Sequence, residues 1–474
     1  MRWLVLFFLS PFLSFGFNLT GTAEWAINQK VVLEQYQEYF LYTSKKIDEQ
    51  IIDANGKFDF QIPTEEIFKY RIIIGDKVGE LYLEPTAEYN ITIRPYNGPV
   101  APILSKEKIV GLEIEKDGAL SINNKIEEYN LQFDQFIQTN AAAIVQKRAN
   151  SIIQTFKEKL NEKLISEPSP FVVNYVKYSM AQLEMTTNYS RQEMMDEYIK
   201  GAPVLFYNPQ YATFFNNMFT EFIRFFAANE ISTQLNKSVN FFQSVDSLKN
   251  VFETNIYFRQ LNDQQKELLI INELYFQKDN NRFKKQSINR MLDDMAEDTK
   301  FEDHKLLLTE MLKKFEMLNP NTLAPNFYFT DFEGNKKSLA DLKGKYVYLD
   351  FWASWCRPCI EEMQVMNDLY PKYKDQIEFL SISIDERASR AQRFYKKNNY
   401  PWIFGHVEVN DVKDLYDVRI IPIYYLIDPE GFLVKSPAAR PTGEIERVFY
   451  NIKKNALQQN TKDLPSWKIK PGKK

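Results

Sequence analysis

The sequence predicts a multidomain protein: an N-terminal antiparallel β-sandwich, an α-helical middle domain and a C-terminal α/β domain. The first indication is length, because 474 residues exceed one ordinary core at roughly 150 residues per domain. The second is the hydrophobic pattern, which changes from strand-like alternation to a helical period and then to alternating strands and helices. The third is that Gly201 is the only glycine between Ala119 and Glu333, which favours long helices there.

The N-terminus has the pattern of a secretory signal peptide covering residues 1–16. Arg2 supplies the positive start, the apolar run Trp3–Phe17 follows, and the small residues Ser14 and Gly16 allow cleavage after position 16. An uncleaved membrane anchor is the alternative, although a bilayer crossing needs about 20 apolar residues and this run is shorter. No cysteine stands directly after the apolar run, which argues against a lipid anchor of the bacterial lipoprotein kind.

Residues 17–110 form the predicted β-sandwich. Asn55-Gly56 is a strong hairpin signal between Ile51-Ile52 and the alternating run Phe58–Ile62. Further strands are expected at Tyr70–Ile74, Leu81–Leu83 and Tyr89–Ile93. Strands at this spacing are typical of a small sandwich, and this one contains no evident catalytic constellation.

Residues 119–318 form the predicted helical domain. Apolar residues recur there at three and four positions, as in the face formed by Ile126, Tyr129, Phe133, Phe136 and Ile137. The aromatic run Phe214–Phe226 suits helix faces packed into a core better than a ligand pocket. His304 and His406 are the only histidines of the chain, which argues against a zinc or haem site, so no metal is expected.

Residues 322–458 form the predicted α/β domain, followed by a short basic tail at 459–474. Its expected strands are 326–330, 345–351, 377–384, 423–427 and 432–434, and its helical segments are 338–342, 361–370, 391–398 and 442–455. Turns are expected at 331–334 and 429–431. The net charge of −4 gives no reason to expect nucleic acid as a partner.

The only two cysteines, Cys356 and Cys359, follow a predicted buried strand and open a helix. At that place backbone N–H groups and the helix dipole favour a thiolate on Cys356, and Arg357 adds positive charge. Cys359, one turn later, is expected to be more buried and suited to resolve a mixed disulfide. Pro358 fits the first turn of a helix. The spacing predicts one dithiol that cycles between thiol and disulfide, with no other cofactor.

These residues and their surroundings resemble the TlpA/ResA-like subgroup of thioredoxin-fold thiol–disulfide oxidoreductases. The motifs are Ala324-Pro325-Asn326-Phe327, Gly344-Lys345, Asp350–Cys359, Ile421-Pro422 and Leu426–Gly431. The resemblance implies that Pro422 is cis and lies beside the dithiol, and that Ile421 offers backbone groups to an extended substrate. The order of the three domains also resembles long thioredoxin-like proteins of Bacteroidetes.

Two acids are candidates for accepting the proton of Cys359 during resolution. Asp350 matches the buried aspartate of thioredoxins, and Glu362 matches a glutamate of ResA-like members but lies on an exposed-looking helix start. The alternative for Asp350 is a structural role, as a residue at a strand end bonded to backbone. The alternative for Glu362 is an acid that stands there only because the helix dipole favours it. Trp355 is expected to shield the dithiol and, with Arg357 and Ile421, to contact substrate. Trp352 is expected to lie in the core.

Two departures from the family bear on the site. The bulky run Ile423-Tyr424-Tyr425 follows the cis-proline position and is expected to narrow the substrate groove. The intervening Arg357-Pro358 lacks a histidine and favours a reductant or an intermediate redox poise.

The resulting hypothesis is an exported thiol–disulfide oxidoreductase of the periplasm or cell envelope that reduces protein disulfides. The family implies protein thiols and disulfides as partners, a membrane electron donor, and work in cytochrome c maturation or repair of exported cysteines. One alternative is a thiol peroxidase of the AhpC/TSA type, which needs a proline and a threonine ahead of its cysteine; here Ala353 takes the threonine's place. The other is a non-catalytic envelope binding protein with a vestigial or regulatory dithiol.

Overall fold

The computed structural model describes residues 16–75, 77–95, 108–116, 121–226, 229–280, 282–385, 388–407, 412, 415–418 and 421–462. The predicted signal peptide before Gly16 and the tail from residue 463 lie outside the described residues. The chain divides into two compact units. The first comprises residues 1–98, 108–276 and 299–307, and the second 99–107, 277–298 and 308–474.

An eight-stranded sheet forms the N-terminal part of the first unit. Its strands are β1 (Gly16–Thr22), β2 (Lys30–Glu38), β3 (Thr43–Ile51), β4 (Lys57–Pro63), β5 (Phe68–Ile74), β6 (Lys77–Leu83), β7 (Glu88–Pro95) and β8 (Lys108–Lys116). Their order is β3-β2-β5-β6-β8-β7-β1-β4. The alternation that predicted β4 is seen directly, because Phe58, Phe60 and Ile62 enter the core while their neighbours face solvent.

The pairing departs from a simple antiparallel meander in two ways. β1 runs parallel to β7, and β6 runs parallel to β8. The predicted turn at Asn55-Gly56 does join β3 to β4, and Gly56 has a φ of 76°. However, β3 and β4 do not pair with each other: β3 pairs with β2, and β4 pairs with β1. The Gln50 side chain on β3 contacts β4 by accepting a hydrogen bond from Asp59 N at 3.2 Å.

Ten α-helices follow in the part of the chain that the structure describes, which confirms the predicted helical character of the middle region. They are α1 (Ile122–Val145), α2 (Asn150–Leu164), α3 (Pro170–Met185), α4 (Arg191–Met194), α5 (Pro209–Phe219), α6 (Asn229–Lys237), α7 (Val245–Phe252), α8 (Asp263–Phe276), α9 (Lys285–Asp298) and α10 (Glu302–Met317). The face predicted on α1 is buried at Ile126, Tyr129 and Phe133, but Ile137 is exposed, because the buried stripe of α1 ends before it.

A seven-stranded mixed sheet forms the centre of the second unit. Its strands are β9 (Tyr328–Asp331), β10 (Lys336–Ser338), β11 (Tyr346–Trp352), β12 (Ile377–Ser383), β13 (Ile403–His406), β14 (Ile423–Ile427) and β15 (Leu433–Ala438), in the order β10-β9-β13-β12-β11-β14-β15. β11, β12 and β13 are parallel, and β14 is antiparallel to β11. β10 and β13 were not predicted, because both are too short to give a period.

Three helices of the described residues pack on this sheet: α11 (Arg357–Tyr373), α12 (Ala388–Asn398) and α13 (Ile445–Lys462). The strand β11 is buried on both faces. Tyr348 and Trp352 pack with α11 and α13 residues in one cluster, while Leu349 and Phe351 belong to a second cluster on the opposite face. Trp352 is therefore a core residue, as predicted. The carboxyl end of this central strand carries the dithiol.

Candidate active site

The dithiol lies where β11 ends and α11 begins. Cys356 is the N-cap residue of α11, and its Sγ accepts a hydrogen bond from Cys359 N at 3.2 Å. Cys356 and Cys359 are joined by a disulfide with Cα atoms 5.3 Å apart, so the structure records the oxidised state. In many helices a first-turn amide donates to a hydroxyl or carboxylate of the N-cap residue. Here the amide donates to the Cys356 sulfur, which favours a thiolate after reduction.

Burial separates the two sulfurs less than expected. Cys359 is 1% exposed, as predicted for a resolving cysteine, but Cys356 is only 5% exposed rather than an exposed attacker. The reason is its packing in the cluster that also contains Ala353 and Met363. The surface that Cys356 exposes in the oxidised state is therefore small.

The loop before β14 lies opposite the dithiol. The Ile421–Pro422 peptide bond is cis, and the Ile421 carbonyl oxygen lies 3.9 Å from Cys356 Sγ. β14 starts directly afterwards at Ile423 and pairs with Phe351 at the end of β11. Pro422 and Ile421 are thus next to the dithiol, where the resemblance to thioredoxin-fold enzymes places them.

Asp350 lies inside the sheet on the α11 face, with no exposed surface. Its Oδ2 accepts from Ser381 Oγ at 3.0 Å, and its Oδ1 has no hydrogen-bond partner among the described residues. Burial raises the pKa of Asp350 to about 8, the Ser381 hydrogen bond opposes that rise, and the charge of Glu362 adds to it. A carboxyl with this pKa is suited to exchange a proton near neutral pH.

The predicted exposure of Glu362 is wrong. Glu362 is 6% exposed because it lies on the inner face of α11, and both of its oxygens accept from Thr442. Oε2 receives the Thr442 backbone N–H at 2.9 Å, and Oε1 receives the hydroxyl at 2.8 Å. Glu362 is therefore held by the segment that precedes α13, and its charge acts on Asp350.

Trp355 and Arg357, predicted to contact substrate, both face solvent. Trp355 is 64% exposed, so its ring is available beside the dithiol without covering it completely. The Arg357 side chain is 89% exposed and donates to Glu361 at 3.0 Å. That ion pair offsets the positive field expected from Arg357, since the partner carboxylate lies one helical turn away.

The expected narrowing of the substrate groove by bulky residues is wrong. Tyr424 is 1% and Tyr425 2% exposed, because they point into the two faces of the sheet. Of the run after Pro422, Ile423 alone is partly exposed.

Sequence reasoning missed two residues that hold the two acids. Ser381 pairs with Asp350 across β11 and β12, and its Oγ accepts from Trp402 Nε1 at 2.9 Å. A polar residue within the apolar run 377–384 was the available signal for Ser381. Thr442 carried no signal, because its contact with Glu362 spans distant parts of the chain.

Within the described residues, no group of three or more His, Cys, Asp or Glu side chains is placed to hold a metal ion. Across the same residues, no helix combines the length and apolar character of a membrane span.

Two family models match the chain. Residues 320–436 match the AhpC/TSA family, and residues 17–101 match a domain of unknown function, DUF4369. The first match covers the strand–helix segment that carries Cys356 and Cys359, and it also covers the loop that contains Pro422.

Among curated relatives, the chain is 39% identical over 122 residues to the thiol-disulfide oxidoreductase ResA of Bacillus cereus (strain ZK / E33L), covering 26% of this chain and 70% of that protein. ResA of Bacillus subtilis (strain 168) is 34% identical over 140 residues, covering 29% of this chain and 77% of that protein. The thioredoxin domain of a thiol-disulfide oxidoreductase from Bacteroides vulgatus is a similar solved structure, with 28% identity, coverage of 29% of this chain and 97% of that one, and a TM-score of 0.26.

Proposed function

Because the chain belongs to the ResA/TlpA-like family of thiol–disulfide oxidoreductases, we propose that it is an exported reductase of protein disulfides that works through Cys356 and Cys359. The observation that carries the proposal is the disulfide-bonded pair at the first turn of α11, beside the Ile421 carbonyl. A dithiol at a helix N-terminus next to an extended backbone segment suits attack on a polypeptide disulfide.

The reaction is a pair of thiol–disulfide exchanges. The Cys356 thiolate attacks one sulfur of the substrate disulfide, a mixed disulfide forms, and the other substrate sulfur leaves as a thiolate. Cys359, as a thiolate, then attacks Cys356 Sγ, which restores the bond seen in the structure and releases the second substrate sulfur. The substrate gains two electrons, and a separate dithiol donor must return two electrons to the enzyme.

Asp350 is the proposed acceptor of the Cys359 proton before resolution. It lies on the α11 face of the sheet, and burial raises its pKa to about 8, so its carboxylate form binds a proton readily near neutral pH. Glu362 has a supporting role, since both of its oxygens are occupied by Thr442 while its charge raises the pKa of Asp350.

Substrate binding is assigned to the rim around Cys356. Ile421 presents its backbone beside the sulfur, Trp355 offers an exposed aromatic face, and Arg357 with Glu361 forms a polar edge. These groups suit an extended polypeptide segment with an apolar residue near its cysteine.

Export and partners follow from the N-terminal pattern and from the family. A secretory signal at residues 1–16 would place the enzyme in the periplasm or cell envelope, where a reductase needs a membrane electron donor. Exported protein thiols, including those of cytochrome c maturation, are the proposed substrates. Fractionation of cells expressing the tagged full chain tests this location, and a cytoplasmic pool of unprocessed chain would contradict it.

Cysteine variants test the assigned roles. We expect Cys356→Ala to abolish insulin disulfide reduction, because the attacking sulfur is gone, and Cys359→Ala to accumulate mixed disulfides, because nothing resolves them. Ser436→Ala, in the same unit but on β15, is the matched control and is expected to keep wild-type turnover. Retained turnover in Cys356→Ala would contradict the assignment.

The peroxidase alternative is kept because the AhpC/TSA model matches residues 320–436. Ala353 and the lack of a preceding proline weigh against it. Peroxide consumption with a dithiol donor, at a rate exceeding insulin reduction under the same conditions, would favour a peroxidase over a reductase.

A further inference from the structure

The turn that leads into the dithiol is held by one buried carboxylate. Ser354 donates its backbone N–H to Asp385 Oδ2 at 2.7 Å and its hydroxyl to Oδ1 at 2.7 Å. Asp385 is 1% exposed and lies just beyond β12. Both of its oxygens are therefore engaged by a residue two positions before Cys356.

Asp385 is itself fixed from two neighbouring strands. Ser383 Oγ donates to Asp385 Oδ2 at 2.8 Å and accepts from Asp385 N at 3.0 Å. His406 Nε2, on β13, lies 2.8 Å from the Asp385 carbonyl oxygen. Asp385 is hydrogen-bonded at its backbone N–H, at its backbone carbonyl and at both carboxylate oxygens, so it has little freedom to move.

We infer that Asp385 is a positioning residue of the dithiol, which acts by fixing the Ser354 turn so that Cys356 sits at the N-cap of α11. The turn is short, since Cys356 N donates to Ala353 O at 3.0 Å, so any movement of Ser354 is passed to Cys356. The Cys359 amide reaches Cys356 Sγ only when the cysteine holds this place. The inference deepens the proposed function, on which its relevance to turnover rests.

A positioning role of Asp385 and an effect of its charge predict opposite changes in the pKa of the Cys356 thiol, so one experiment can distinguish them. The negative charge of Asp385 disfavours a nearby thiolate, so removing the charge alone lowers the pKa of the Cys356 thiol or leaves it unchanged. Freeing the turn takes Cys356 away from the helix N-terminus and raises that pKa. Asp385→Asn keeps an acceptor and the shape of the side chain, whereas Asp385→Ala removes both.

The experiment measures iodoacetamide alkylation of Cys356 in the reduced full chain across pH, read by mass spectrometry of its peptide. We expect Asp385→Ala to slow alkylation at pH 7 by about tenfold, as its midpoint moves up by about one pH unit. Asp385→Asn is expected to stay at the wild-type midpoint or below it. Ser354→Ala loses one of the two hydrogen bonds to Asp385 and is expected to raise the alkylation midpoint by a smaller amount. It replaces Asp385→Ala in the experiment if that variant fails to fold.

Asp428 provides the matched control. Its Oδ1 also holds a turn, by accepting from Glu430 N at 3.1 Å and Phe432 N at 2.7 Å, but at the far end of β14 from the dithiol. Asp428→Ala is expected to leave the Cys356 midpoint unchanged. A midpoint that stays fixed in both Asp385→Ala and Ser354→Ala, or that falls in Asp385→Ala as in Asp385→Asn, would overturn the inference. This readout needs no turnover, so failure of the reductase assay remains a separate result.

Discussion

Asp350 is joined to two other buried side chains by a short chain of hydrogen bonds. Trp402 Nε1 donates to Ser381 Oγ at 2.9 Å, and Ser381 Oγ donates to Asp350 Oδ2 at 3.0 Å. Trp402 thereby fixes the direction in which the Ser381 hydroxyl points, because its indole N–H can only donate. The serine hydrogen bond favours the charged form of Asp350 and counters part of the cost of its burial.

Replacement of Ser381 tests this control of the proton acceptor. We expect Ser381→Ala to raise the pKa of Asp350 further by about one to two pH units, because a hydrogen bond to a charged group contributes about 1.5–3 kcal/mol. The measurement is the pH dependence of mixed-disulfide resolution, whose midpoint should move upward. Ser436→Ala on β15, the control already used in the turnover assay, is the control here as well. A midpoint that stays in place or falls in Ser381→Ala would contradict this role.

At the scale of single elements, the short helical turn Phe222–Phe226 begins against a buried carboxylate. Glu273 on α8 is 2% exposed and accepts from Phe222 N at 3.1 Å and Ile223 N at 3.0 Å. Burial raises the pKa of Glu273 from 4.5 to about 7, the two N–H groups oppose the rise, and the charge of Glu221 adds to it.

This contact predicts a pH-dependent stability. An acid whose pKa is higher in the folded chain binds its proton more tightly when folded, so its contribution is fully present below about pH 4.5 and is lost as pH rises through 7. The loss amounts to about 3 kcal/mol at most. We expect Glu273→Gln to lack this part of the slope when the free energies of unfolding at pH 5 and pH 8 are compared with those of the wild type. The exposed Glu230→Gln should keep the wild-type slope, and an unchanged slope in Glu273→Gln would exclude this assignment.

The elements and their neighbours differ in how far the sequence could predict them. The bounds of β14 were predicted at Ile423–Ile427 because an apolar run ends there, just before the turn at 429–431. The dithiol was located because both cysteines lie where a strand meets a helix. The parallel pairing of β1 with β7 could not be predicted, since strand order depends on contacts far apart in the chain. The burial of Glu362 could not be predicted for the same reason, since Thr442, which contacts it on the inner face of α11, lies far away in the chain.

At the scale of the whole molecule, the second unit is larger than the α/β domain that the sequence predicted at 322–458. Residues 277–298 and 308–321 also belong to it. Leu318 packs into the cluster under β11, and Asn321 N donates to Leu433 O at 2.7 Å. The helical segment before the α/β domain therefore contributes to the core that supports the dithiol strand.

A buried ion pair joins this helical segment to the loop that leads to Pro422. Lys278 Nζ lies 2.8 Å from Asp417 Oδ2, and the two side chains are 10% and 3% exposed. Asp417 has a φ of 46°, a backbone conformation that aspartate tolerates better than most residues. We expect Lys278→Met to destabilise the second unit by about 3–5 kcal/mol, because it removes the cation from a carboxylate that stays buried.

A double-mutant cycle on thermal unfolding measures this coupling. Lys278→Met combined with Asp417→Asn is expected to recover most of the lost stability, since no uncompensated charge then remains buried and asparagine also tolerates this backbone conformation. The surface pair Lys372–Glu446, at 3.1 Å and half exposed, is the matched control, and Lys372→Met should cost less than about 1 kcal/mol. If Lys278→Met costs no more than Lys372→Met, the helical segment does not hold the Pro422 loop through this pair. If the cost is large and the double variant restores insulin reduction together with stability, the segment before the α/β domain is part of the working enzyme.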